Sequence, residues 1–180
     1  MESLKGNLLI AGAGIAGEVF RQTVVIMAEH DEKGALGFVL NRPSHALLEN
    51  IAPSLSGIDG MDERLYLGGP VQPEVVVILA EYGEVGDPEQ LIFDSVGFAP
   101  PEDPEGVEGR VLRAKAFSGY AGWGPGQLES EMDDGGWLVE PARPDDVFAS
   151  DPDALWRDVV RRKGSQFTLL STMPFDPSSN

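Results

Sequence analysis

The stretch LLIAGAGIAGEVFRQTVVIMAEH, Leu8 to His30, is compatible with two different folds. Gly12, Gly14 and Gly17 complete a G-x-G-x-x-G, which in a dinucleotide-binding fold follows a strand and opens a helix whose free N–H groups meet a pyrophosphate. Leu8 to Ala11 supplies the entering strand. The helix would have to run from Glu18 to His30, but its middle is Thr-Val-Val-Ile, whose β-branched side chains lose rotamer freedom in a helix and fit a pleated sheet. The next apolar run, ALGFVL, ends in Asn41-Arg42-Pro43 where a ribose-binding acid belongs, and no further βαβ unit of suitable length follows. The glycines therefore read as a connection between two strands, and no cofactor is implied.

Outward from that stretch the chain reads as short elements joined by turns. Thr23 to Met27 and Ala35 to Leu40 are strands joined by a hairpin around Asp31 to Gly34. Ser44 to Ile51 is expected to be a short helix capped by Ser44, and Pro53 to Glu63 a loop. Leu65 to Leu67, Val75 to Ala80, Leu91 to Phe93, Arg113 to Tyr120 and Trp137 to Val139 read as strands, and APPEDPEGVEG as an acidic surface loop. Pro125 to Asp134 is a helix ended by Gly135-Gly136. The clearest helix is DPDALWRDVVRRKG, with Asp151 as cap, Pro152 in the first turn, an apolar stripe of Leu155, Trp156, Val159 and Val160, and basic residues at its negative end.

With 180 residues the chain has the size of one domain, expected over residues 1–173 with a frayed tail at 174–180. It carries 13 basic and 30 acidic residues, a formal charge of −17, and no Lys or Arg lies between Arg64 and Arg110. Binding a phosphate backbone requires clustered cations, so direct nucleic-acid binding is disfavoured. The absence of cysteine removes disulfides, thiolate metal sites and a cysteine nucleophile, and fits a cytoplasmic protein. The segment MESLKGNLLIAGAGIAG has the outline of a signal peptide, but Glu2 offsets Lys5 and the glycines weaken the apolar run. It is read as retained, and no run reaches transmembrane length.

Four stretches carry a more specific signal: GNLLIA with VFRQTVVIMAEHD, then GALGFVLNRP, LYLGGPV and GYAGWGPGQLESE. In this order and at these distances the chain resembles the YqgE/AlgH family of bacterial proteins. The resemblance implies an α+β domain in which a bifurcated, mostly antiparallel sheet forms a pseudo-barrel with helices packed outside. It also implies that Gly12-Ala13-Gly14 replaces a turn more often built with proline. Members are called transcriptional regulators by association. No helix-turn-helix with a basic recognition helix is visible in this chain, so a regulatory role is expected to run through a protein or small-molecule partner.

Three segments are candidate ligand- or partner-binding sites. Asn41, Arg42 and Pro43 end a buried strand with polar groups; Gly68 and Gly69 permit close backbone approach. Tyr120, Gly122, Trp123, Gly126, Gln127 and Glu131 combine aromatic walls with a helix start. No catalytic or metal site is assigned, because no H-x-H, H-E-x-x-H or G-x-S-x-G spacing exists. The alternative is an enzyme using His30 or the carboxylates Glu129 and Glu131 as acid and base, which requires at least two of these groups to meet in a pocket.

Overall fold

The computed structural model describes residues 2–15, 17–83, 90–99, 110–164 and 167. Residues 100–109 of the acidic loop and the tail at 174–180 lie outside them. Ten strands are present among the described residues: β1 (Asn7–Ala11), β2 (Val24–Asp31), β3 (Gly34–Val39), β4 (Pro43–Leu47), β5 (Met61–Leu67), β6 (Val71–Tyr82), β7 (Leu91–Phe93), β8 (Val96–Ala99), β9 (Val111–Trp123) and β10 (Trp137–Pro141). The helices are α1 (Leu48–Ile51), α2 (Gln127–Asp133), α3 (Pro144–Val147) and α4 (Pro152–Lys163). Glu18 to Phe20 form only a 3-10 turn.

The strands run β10-β1-β2-β3-β9-β6-β8-β7 across one mostly antiparallel sheet curled into a half-barrel, with β4 and β5 as a side branch. The branching is made by β9. One edge pairs with β6 from Val111 to Tyr120. The other edge takes β5 in parallel along Ala114 to Ser118 and then β3 antiparallel along Ala121 to Trp123. Where the partner changes, Gly68 spans the gap: its N–H donates to the Ser118 carbonyl and its own carbonyl accepts from the Val39 N–H, each at 2.8 Å. A Cβ on Gly69 would lie only 2.1 Å from the carbonyl carbon of Tyr120.

The apolar run at β1 and β2 follows from burial on both faces. Leu8, Ile10, Val24 and Ile26 meet Leu155, Trp156, Val159 and Val160 of α4 on one side. Leu9, Ala11, Val25 and Met27 meet Leu128 of α2 with Trp123 and Trp137 on the other. Successive strand residues face opposite ways, so a strand covered on both faces loses its polar alternation. A third cluster, with Leu48, Met61, Leu65, Ile78 and Ala116, fills the side branch.

The first G-x-G of the fingerprint serves this packing. The N–H groups of Gly12 and Gly14 donate to the carbonyls of Gly136 (2.8 Å) and Gly135 (3.3 Å). A Cβ on either would come within 2.6 Å or 2.5 Å of the carbonyl oxygen of Gly135 or Asp134. The donors that would face a pyrophosphate in a dinucleotide site are thus bonded to the turn that follows α2. The segment Ser44 to Ile51 differs from its expected helix. Pro43 to Leu47 instead pair with β5, the helix has four residues, and the Ser44 hydroxyl accepts from Ala46 N–H as a local turn. The strand β8 and the helix α3, neither expected from the sequence, complete the element order.

Replacing Gly69 with Ala should destabilise the protein by ~2 kcal/mol or more in urea unfolding, because strain and overlap with fixed backbone add. Gly57, at positive φ but in open space, provides the comparison, and Gly57→Ala should cost only about 1 kcal/mol.

Candidate functional site

The loop from Phe20 to Thr23 organises two neighbourhoods. On one side, Asn41 continues the sheet by side chain where β3 ends. Its Oδ1 accepts from Val24 N–H at 2.9 Å and its Nδ2 donates to the Gln22 carbonyl at 2.8 Å. Arg42 donates through Nη1 to the Asn41 carbonyl at 3.1 Å and through Nη2 to the Arg21 carbonyl. These contacts hold Gln22 at a φ of 52°, a left-handed conformation that costs of order 1 kcal/mol for a residue with a Cβ.

Beside this clamp lies a cleft of about 400 Å³ lined by Gln22, Asn41, Arg42, Pro43, Asp153, Trp156 and Arg157. The last three come from the first two turns of α4. Trp156 is buried and donates its indole N–H to the Ala11 carbonyl at 3.1 Å, fixing α4 against β1. Burial lowers the pKa of Arg42 and the nearby charge of Asp153 opposes that effect. Asp153 and Arg157 are exposed.

On the other side of the loop, Phe20 packs between Trp123 and Trp137, with ring centroids 6.4 and 5.8 Å away. Glu131 ties this cage together. Its Oε2 accepts from the indole N–H of Trp123 at 2.9 Å and of Trp137 at 2.7 Å, and its Oε1 accepts from Gln127 at 3.0 Å. Trp123 and Tyr120 thus pack into the protein, while Gly122, Gly126 and Gln127 are exposed. Trp123 also edges a shallow depression with Glu29, Asp31, Lys33, Gly34, Ala35 and Leu36.

The expected groove uniting three segments is divided. Arg42 is bonded through its carbonyl to Leu67 N–H, next to Gly68 and Gly69, and these glycines pack on Tyr120 and Gly119 backbone. The Arg42 cleft and the indole cage nevertheless share no residue. His30 does meet Glu129. The register of β2 against β3 slips between Met27 and Glu29, which turns His30 onto the face covered by α2. Its Nε2 lies 3.0 Å from Glu129 Oε1, and its Nδ1 accepts from Leu4 N–H at 3.0 Å. The acceptor role of Nδ1 places the ring proton on Nε2, which donates to the carboxylate. The Glu129 backbone N–H and then His30 lower the Glu129 pKa. His30, Glu129 and Glu131 line neither of these two hollows.

One group gave no sequence signal. Lys115, in the middle of β9, is 3% exposed. Its Nζ donates to the Ala149 carbonyl at 2.9 Å and stands 4.4 Å from the centre of the Tyr66 ring. The Tyr66 hydroxyl donates to Asp62 at 2.8 Å. Burial pushes the lysine down to about 8, and burial followed by the Asp62 bond pushes the tyrosine up.

The depressed lysine makes a prediction with a defined sign. From pH 8 to 10.5 the folded protein releases this proton while the unfolded chain keeps it, so stability rises with pH. The stability of wild type relative to Lys115→Met should increase across that interval by on the order of 3 kcal/mol. Denaturant titrations at successive pH values measure it, and a flat difference would contradict the assignment. Asn41→Ala should cost ~2 kcal/mol in the same assay, since it leaves the buried Val24 N–H without its acceptor.

Comparison with known proteins places this geometry. The AlgH-like family profile matches residues 8–168. A UPF0301 protein of Streptomyces avermitilis is 36% identical over 187 residues, covering 100% of this chain and 97% of the relative. A crystal structure of a protein from Corynebacterium diphtheriae superposes with a TM-score of 0.88 at 30% identity, covering 96% of this chain and 94% of that one. The solution structure of the AlgH protein from Pseudomonas aeruginosa gives 0.73 at 31% identity, covering 96% and 95%. Matched along nearly its whole length in sequence and in fold, the chain belongs to the AlgH-like family.

Proposed function

We propose that this protein is a non-catalytic binding module of the cytoplasm, with the cleft beside Arg42 as its principal binding site. The observation that carries this reading is the construction of the cleft. Polar side chains of the Asn41-Arg42-Pro43 segment are fixed by main-chain carbonyls beside a strained Gln22, and they face charged groups of a second element, α4. Strained backbone and convergent polar groups around a hollow of a few hundred cubic ångströms are common attributes of ligand sites. Exposed Gly126 and Gln127 at the start of α2 offer a further surface for a protein partner.

The acid–base alternative is less well supported. Both ring nitrogens of His30 are bonded within the chain, and Glu131 accepts from three donors. Regulation of transcription, where it occurs, is indirect on this reading. The net charge of −17 repels duplex DNA, and Arg113 and Arg162 are paired with carboxylates. No helix among the described residues is long and apolar enough to cross a membrane.

A thermal-shift screen against common metabolites, followed by amide NMR mapping of any hit, tests the proposal. A ligand at a hundredfold its dissociation constant adds about 2.7 kcal/mol, a rise of roughly 5 °C. Its shift perturbations should centre on Gln22, Arg42, Asp153 and Arg157. Chemical turnover of a hit, or perturbations centred on His30 and Glu129, would favour the enzyme reading.

A further inference from the structure

We infer that the cleft beside Arg42 takes a small organic oxyanion, a phosphate monoester or a carboxylate, that also carries a hydroxyl or amino donor. The inference rests on the reading of that cleft as the binding site, and charge is its first support. With 30 acidic residues to 13 basic ones, an arginine here has many possible partners. Arg64, Arg113, Arg161 and Arg162 each pair with a carboxylate, while Arg21, Arg110 and Arg143, none of which lines the cleft, make no ion pair among the described residues. Arg157 makes no ion pair or hydrogen bond with the described residues, although Asp153 stands four residues earlier on the same helix face, the spacing at which such pairs form.

The second support is the fixed position of Arg42. Its guanidinium is held by the carbonyls of Asn41 and Arg21, so its charge is stationary and partly desolvated at the cleft wall. Two guanidiniums and one carboxylate line the hollow. A cationic ligand would meet both arginines. A ligand that is only anionic would meet Asp153 without a donor to offer it. A single oxyanion with an adjacent hydroxyl or amine matches all three groups. Pro43 and Trp156 line the hollow beside these charges, and about 400 Å³ suits a small metabolite. The oxyanion is held by guanidinium, since Asp151 already accepts the Ala154 N–H at the helix start.

Titrations followed by amide and arginine side-chain NMR, at ionic strength held constant with KCl, test this with four probes: inorganic phosphate, glycerol 3-phosphate, malate and glycerol. Glycerol 3-phosphate, malate or both should perturb Gln22, Asp153 and Arg157, and their ranking separates phosphate from carboxylate. Inorganic phosphate should bind about tenfold more weakly and glycerol not at all. Arg157→Gln should weaken the bound anion about tenfold or more. Asp153→Ala should tighten inorganic phosphate by roughly threefold or more and erase the advantage of glycerol 3-phosphate over it. Both side chains are exposed, and an unchanged melting temperature confirms that the fold is intact. Anion binding indifferent to Arg157→Gln overturns the inference. So does occupation of the cleft by neutral compounds alone, which leaves the reading of the cleft standing. If no compound of any charge perturbs the cleft, both fall.

Discussion

One strand has to satisfy three others along its two edges, and the rest of the molecule is arranged around that demand. The edge of β9 that faces β5 and then β3 cannot serve both at one point, because a parallel and an antiparallel neighbour place their hydrogen bonds differently. At the changeover the backbone of Gly68 supplies the missing donor and acceptor, and Gly69 lets the main chain lie against Tyr120. With the fork closed, β3 carries β2, β1 and β10 away on one side while β4 and β5 fold over the other. The three apolar clusters occupy the spaces that this division creates.

Side-chain amides and guanidiniums extend the sheet's hydrogen bonding beyond its strands. Asn41 bonds Val24 N–H as a strand residue would, and with Arg42 it captures the carbonyls of Gln22 and Arg21. The same short loop delivers Phe20 to the indole cage, where a single carboxylate orients two tryptophans. Each polar group in this region therefore has a structural role. The cleft is the place where charged side chains of α4 add to those roles without being consumed by them.

Much of the fold is legible in the sequence because local and tertiary preferences agree. LLIA and TVVIM read as buried strands since both of their faces are covered, and α4 announces itself through Asp151, Pro152, an apolar stripe and Gly164. Ser44 to Ile51 misleads because serine before an apolar run signals a helix cap, whereas pairing with β5 takes those residues into the sheet. The glycine fingerprint is ambiguous for a related reason: close approach of backbone is needed both to bind a pyrophosphate and to pack against Gly135-Gly136. Of the site, Asn41-Arg42-Pro43 stands out as a polar end to an apolar strand. Asp153 and Arg157 do not, being indistinguishable from ordinary helix-surface charges. Gln22 and Lys115 carry no local signal, since the φ of one and the burial of the other are set by distant residues.

The position of β1 between β2 and β10 bears on how the protein is made. β1 gains its first neighbour soon after it leaves the ribosome, as β2 and β3 follow directly. Its other edge pairs with Trp137 to Pro141, and the carbonyl of Ala11 waits for an indole 145 residues later. At bacterial elongation rates that interval is on the order of ten seconds. During it Leu8 to Ala11 present an unpaired apolar edge, the kind of surface that invites association with other nascent chains. The arrangement that pairs an early strand with one made near the end of the chain thus makes the amino-terminal strand dependent on nearly complete synthesis, and a natural client for chaperones that act on emerging polypeptides.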